Sequence, residues 1–188
     1  MSLLLKLSIA LIFSGVAVAG FAQQKIVPAQ SEILFVSKQM GVPVEGHFKK
    51  FDAQINFDVV KLDTSKVSFS VDMGSASLGV PETDAELPKP TWFSAVKFPQ
   101  ATFTSTSIKA LGGGKFDVAG KLSIKGQARE VVVPVAMVQT GPTTVASGVL
   151  PIKRLAFKIG EGEWADTSLV ADDVQVKFKF SLTGVGKL

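Results

Sequence analysis

The chain has 188 residues, a formal net charge of +4, 46% hydrophobic residues, one histidine, and neither cysteine nor tyrosine. A chain of this length builds one domain with an ordinary core, and without cysteine it has no disulfide staple, Cys-His pair or thiolate metal site. With His47 as the sole histidine, a Ser-His-Asp triad or histidine metal cluster lacks its parts, and the lysines alternate with hydrophobic residues instead of clustering, which argues against nucleic acid as a partner.

Met1 to Ala22 carries one lysine, Lys6, then an apolar run from Leu7 to Val18 and small residues at Gly20 and Ala22. That layout predicts a secretory signal peptide cleaved after Ala22, so residues 1–22 are expected to leave and residues 23–188 to form one domain in the periplasm. No cysteine follows the apolar run, so lipid attachment through a lipobox is not expected.

Ile33 to Val36 opens the domain as a short strand, Gly41-Val42-Pro43 turns, and a strand pair fits Val44 to Asp58. Val67, Phe69, Val71 and Met73 alternate with Lys66, Ser68, Ser70 and Asp72, the period of a strand with one dry and one wet face. Between Pro81 and Val96 the alternation stops. Pro81, Pro88 and Pro90 forbid a long helix there and predict short helical turns over one end of the sheet. Strands resume at Thr102 to Ile108, and Gly112-Gly113-Gly114 turns the chain into a hairpin. In its second arm Phe116, Val118, Leu122 and Ile124 take one parity and Lys115, Asp117, Lys121, Ser123 and Lys125 the other. After a turn at Gly126, Val131 to Val135 is apolar on both parities, which predicts cover on both faces, with Pro134 at an edge or bulge because it cannot donate to a ladder. Ala146 to Pro151 and Ala156 to Ile159 are further predicted strands, and Val174, Val176, Phe178, Phe180 and Leu182 form the inner parity of the last. About eight strands with almost no helical periodicity predict an all-β fold, an antiparallel barrel or sandwich.

Three stretches carry a resemblance: Gly46 to Asp58, Phe98 to Ile108 and the hairpin Gly114 to Val138, with Trp92-Phe93 between the first two. In this order they resemble the YceI-like family of lipid-binding proteins, from about Lys25 to the C-terminus. The resemblance implies a lipocalin-like barrel with an elongated apolar cavity. It also implies a binding role without cofactor, with a long-chain isoprenoid lipid, such as a quinone tail or prenyl phosphate, as cargo. The segment Gly160 to Asp166 resembles a version of the family seen beside membrane b-type cytochromes, which implies a cytochrome or other quinone-handling partner.

The residues themselves leave few routes to catalysis. Carboxylates gather at Glu82, Asp84 and Glu86, at Glu161 and Glu163, and at Asp172-Asp173, all in predicted loops or turns where solvated acids are expected. The glycines at 112–114, 160 and 162 lack the lysine and the strand-to-helix setting of a phosphate loop. The aromatic inventory says more: only Phe13 and Phe21 of the 14 phenylalanines precede Gln23. An interior built from Phe without Tyr offers a ligand no hydrogen bonds and suits a hydrocarbon chain. The expected lining is Phe69, Val71, Phe103, Phe116, Val118, Leu122, Phe178 and Phe180, with Trp92 and Phe93 in a lid. Lys153 and Arg154, beside a predicted turn, are candidates for an anionic head group, or exposed turn cations with no such role. The alternative is a solid barrel serving as a stress-protective module that meets a protein partner through Trp92 or Trp164.

Overall fold

A computed structural model of the chain describes residues 24–188, so the expected signal peptide lies outside the described residues. The alternating segments form one antiparallel sheet of eleven strands. In chain order these are β1 (Lys25–Ile26), β2 (Glu32–Gln39), β3 (Val42–Phe48), β4 (Phe51–Asn56), β5 (Lys66–Asp72), β6 (Ala76–Ser77), β7 (Gln100–Gly112), β8 (Lys115–Ile124), β9 (Gln127–Thr140), β10 (Thr143–Lys153) and β11 (Asp173–Thr183). The strand order is β4-β5-β7-β8-β9-β10-β11-β2-β3-β6, with β1 added beside β11. β3 and β4 are separated only by Lys49-Lys50, yet they lie towards opposite ends of that order. One bent run therefore pairs with β2 through its first half and β5 through its second, which curls the sheet into a barrel. Gln24 adds a side-chain stitch: its Nε2 donates to the Phe57 carbonyl at 2.6 Å and its Oε1 accepts from the Phe57 amide at 2.8 Å.

Turn chemistry fixes the register. Met40-Gly41 joins β2 to β3 and Lys125-Gly126 joins β8 to β9, each pair with positive φ (47° and 82°; 49° and 73°), the geometry whose twist matches that of the flanking strands. In β7 an irregularity between Ser105 and Ser107 shifts the register against β8. The extra residue switches parity, so Phe103 and Ile108 both face inward although one is odd and the other even. The Ser105 hydroxyl, buried at this irregularity, accepts the Val67 amide at 2.9 Å.

Two expectations fail here. β9 is covered on one face only: Val133 is buried while Val132 is 56% and Val138 65% exposed. Among the described residues nothing packs on the outer wall of the barrel there, so apolar residues on both parities do not mean two covered faces. The β9–β10 ladder also ends at Ala136–Ser147, just short of Pro134, which has no N–H to continue it. Ala156 to Ile159, expected as a strand, instead begins inside a 3-10 turn at Arg154–Phe157 and passes through Lys158 at φ 57°. The Ile159 amide folds back to the Arg154 carbonyl at 3.1 Å, a closure incompatible with an extended run.

Across one end of the barrel lie the proline-rich segment, with a short helix α1 (Pro81–Asp84), and the connection from Arg154 to Asp172. The Asp84 carboxylate anchors α1 by accepting from the Ser77 hydroxyl and the Leu78 amide, each at 2.6 Å, and these bonds hold its pKa below the ordinary aspartate value. Among the described residues, no helix is long and apolar enough to cross a membrane.

Candidate functional site: an apolar interior in two chambers

Inward parity from nearly every strand meets inside the barrel without filling it. A strand-side chamber of about 170 Å³ is lined only by apolar side chains. Phe69, Phe103, Phe116, Val118, Phe178 and Phe180 stand on its walls. Phe69 stacks on Phe180 with ring centroids 4.7 Å apart, and Phe178 on Phe180 at 5.2 Å, so three rings form one continuous wall. A lid-side chamber of about 290 Å³ adjoins it, and Trp92 and Phe93 line this second space. Val71, Leu122, Ile33, Leu150 and Val176 line both, so the two chambers adjoin and share part of their apolar walls. All ten apolar positions singled out from the sequence thus lie on chamber walls.

Glycines make room for the rings. Inward Gly46, Gly120 and Gly148 each lie against a phenylalanine ring of a neighbouring strand, Phe35, Phe103 and Phe178 respectively, and a Cβ at any of them would overlap that ring. At Gly120 it would also come within 2.5 Å of the Thr104 carbonyl.

The lid is tied down by two buried cations that sequence reasoning did not assign to this task. Arg154 is only 2% exposed and lines the lid-side chamber, so it is not an exposed turn cation. Its five N–H groups reach five backbone carbonyls: Nε to Ala171, Nη1 to Ile159 and Gly160, and Nη2 to Trp164 and Val170, at 2.6–3.0 Å. Burial lowers its pKa, with neighbouring Asp172 acting in the opposite direction. Lys125 is 6% exposed and donates to the carbonyls of Pro90 and Lys158 and to Glu161 Oε2, at 2.7, 2.5 and 2.9 Å. It thereby joins both lid segments to the β8–β9 turn. The Thr91 carbonyl accepts from Gly160 and Glu161, and Trp92 packs on Trp164 at 5.6 Å.

Lys153 lies elsewhere. Its exposed ammonium pairs with Asp173 Oδ1 at 2.7 Å, a bond that raises the lysine pKa, and it does not line either chamber. Three more acids have structural partners: Glu86 with Lys89, Asp172 with the Leu155 amide, and Asp166 with the Ser168 amide. Among the described residues, no group of three or more His, Asp or Glu is placed to hold a metal ion.

The missed signal at the lid-side chamber was partly available. Ile33, Phe35, Ser37 and Gln39 alternate on β2 and all line it, but the apolar parity ends at Ser37, which conceals the strand's inward continuation. The long reach of Lys125 and Arg154 had no local signal.

A family model described as the YceI-like domain matches residues 24–182. Among solved structures, the chain resembles BcnA from Burkholderia cenocepacia, with 48% identity and a TM-score of 0.80 over 83% of this chain and 98% of that one. It shares its fold with a polyisoprenoid binding domain from Saccharophagus degradans, at 16% identity and a TM-score of 0.68 over 86% of this chain and 98% of that one. A UPF0312 protein from Azotobacter vinelandii is 32% identical over 96 residues, 51% of this chain; the matched part spans half the length of that relative.

Proposed function

The chain belongs to the YceI-like family, and we propose that it is an exported, periplasmic carrier that encloses one long-chain isoprenoid lipid, a prenyl quinone or a prenyl phosphate. The observation that carries this reading is the pair of adjoining chambers inside the barrel, the strand-side one purely apolar, with five apolar residues on the walls of both. A chain threaded through both would remove its methylenes from water at about 0.8 kcal/mol each, enough to offset the cost of immobilising it. The tail occupies the strand-side chamber. The polar end stays in the lid-side chamber, where the polar lining residues Ser37, Gln39, Thr83, Glu86 and Arg154 are found.

With Arg154 committed to carbonyls and Lys153 paired on the outside, neither side chain offers a free N–H fork to an anionic head group. The role in this reading is binding, which the mainly apolar lining of both chambers supports. A membrane b-type cytochrome or another quinone-handling protein is the partner a quinone cargo would serve. Only the Gly160–Asp166 segment supports that step. The alternative, a partner-binding module with a filled barrel, is disfavoured by the open interior.

The test is mass spectrometry of solvent extracts from protein purified without detergent from the exported fraction. A stoichiometric isoprenoid is expected. A protein that leaves its source empty and takes up no added prenyl lipid would overturn the carrier reading.

A further inference from the structure

One hydroxyl stands out in the lid-side chamber. Ser37 shares the inward parity of β2 with Ile33, Phe35 and Gln39 and lines this chamber. Its Oγ is sealed from solvent, and it is the one buried side-chain polar atom among the described residues without a hydrogen-bond partner. Other buried serines are spoken for: Ser75 donates to the Asp72 carbonyl, Ser77 to Asp84, and Ser105 accepts from Val67. A buried donor left unpaired opposes folding unless something else satisfies it.

The surroundings of Ser37 say what could satisfy it. The Lys38 carbonyl accepts the Ala171 amide at 2.9 Å, and Gln39 bridges to Val170. Carbonyls of those same two residues, Val170 and Ala171, accept from Arg154 at 2.6 and 3.0 Å. Ser37 shares its chamber with Arg154, a buried guanidinium that makes no salt bridge to a carboxylate among the described residues. All five N–H groups of that cation are already donated to carbonyls. Of the chamber's other uncharged polar side chains, the Thr83 hydroxyl is donated to the Val80 carbonyl and Gln39 is exposed, so Ser37 is the sealed hydroxyl left to an oxygen atom here, while the Glu86 carboxylate on the same wall disfavours an anion. A phosphate or carboxylate taken out of water needs several donors, and obtaining them from Arg154 would strip the bonds that hold the lid.

We infer that Ser37 donates its hydroxyl to a neutral oxygen acceptor, a carbonyl or ether oxygen at the polar end of the enclosed chain, and that the cargo class is a long apolar chain with a neutral, oxygenated end and not an anionic one. This inference rests on the carrier reading and selects between its two cargo classes.

The experiment measures displacement of the neutral fluorophore N-phenyl-naphthylamine from lipid-stripped full domain, wild type and Ser37→Ala, by hexadecane, methyl pentadecyl ketone and hexadecyl phosphate. The expected result is that the ketone binds wild type more tightly than the phosphate and loses roughly three- to tenfold in Ser37→Ala, the size of one hydrogen bond, while hexadecane is unaffected. A ketone affinity unchanged in Ser37→Ala, with hexadecane still bound, overturns the Ser37 assignment and leaves the carrier intact. Tighter binding of the phosphate overturns the neutral-end assignment. Failure of all three probes to bind rejects the carrier reading and this inference with it. Thermal unfolding of the stripped proteins is the second readout: Ser37→Ala should melt no lower than wild type. A lower melting temperature would show that water or protein already satisfies the hydroxyl and would overturn the assignment.

Discussion

The strand-side and lid-side chambers share five wall residues, yet different forces hold their other walls. In the first, alternating strands put Phe69, Phe178 and Phe180 face to face, and each ring needs only its neighbours and an inward glycine or two for clearance. In the second, the walls include loops whose backbone bonds run mostly within each loop, and Arg154 and Lys125 tie those loops down through carbonyls and one carboxylate up to 36 residues away. The lesson is that one half of the interior is stabilised by many small and replaceable contacts, whereas the other adds to its own apolar cluster around Phe93 and Phe157 two cations whose loss cannot be shared out.

The sharpest way to break this contrast is Arg154→Met. It leaves five buried or half-buried carbonyls without their donor, so a loss of roughly 3–5 kcal/mol is expected in denaturant unfolding. Hydrogen exchange should rise first in 158–172 and leave the β8 amides protected. Equal deprotection of β8 would mean that the halves are not separable.

Next come two glycines. Gly120→Ala meets the Thr104 carbonyl as well as the Phe103 ring, so backbone must move and about 1–3 kcal/mol should be lost. Gly46→Ala meets only the Phe35 ring. That ring is expected to swing into the lid-side chamber, with a smaller stability loss and a weaker hold on ligand. Finding the reverse order in thermal unfolding and ligand titration would contradict the packing described for the two walls.

A pH effect should be smaller and confined to the lid. The Lys125 hydrogen bond is the main cause of the lowered Glu161 pKa, with burial acting against it. A carboxyl depressed in the folded state contributes stability that is complete above its unfolded value, near 4.5, and fades as pH falls through the folded value. Acidification through that window should therefore loosen exchange around Pro90 and Lys158, and Glu161→Gln should remove the pH dependence; a persisting dependence would assign it elsewhere. The smallest effect is predicted for Lys153→Ala, which removes an exposed pair outside both chambers. Melting temperature and retained lipid should both be unchanged, and a loss of lipid would restore Lys153 as a head-group ligand.

Legibility in the sequence follows the same division. Where a face repeats every second residue, as at Phe116, Val118 and Leu122, the pattern names the inner wall directly, because successive side chains point to opposite faces and the other parity here is mainly charged or polar. It misleads at Val132 and Val138, whose outward valines look like core, and at Ala156 to Ile159, where an apolar run lies in a loop pinned by Arg154. It is silent on Lys125 and Arg154 themselves, since a cation's nearest sequence neighbours do not reveal which distant carbonyls will fold around it. Ser37 falls between these cases: its parity was readable, but an isolated serine gives no hint that its hydroxyl will be left without a partner.

The most direct test of an enclosed apolar chain is calorimetric titration of the lipid-stripped domain with prenyl alcohols of increasing length. If the chain threads both chambers, affinity should climb with each added isoprene unit and heat capacity should fall on binding, until the combined interior is filled and the gain stops. Affinity that does not change with chain length would contradict a chain lying inside the barrel.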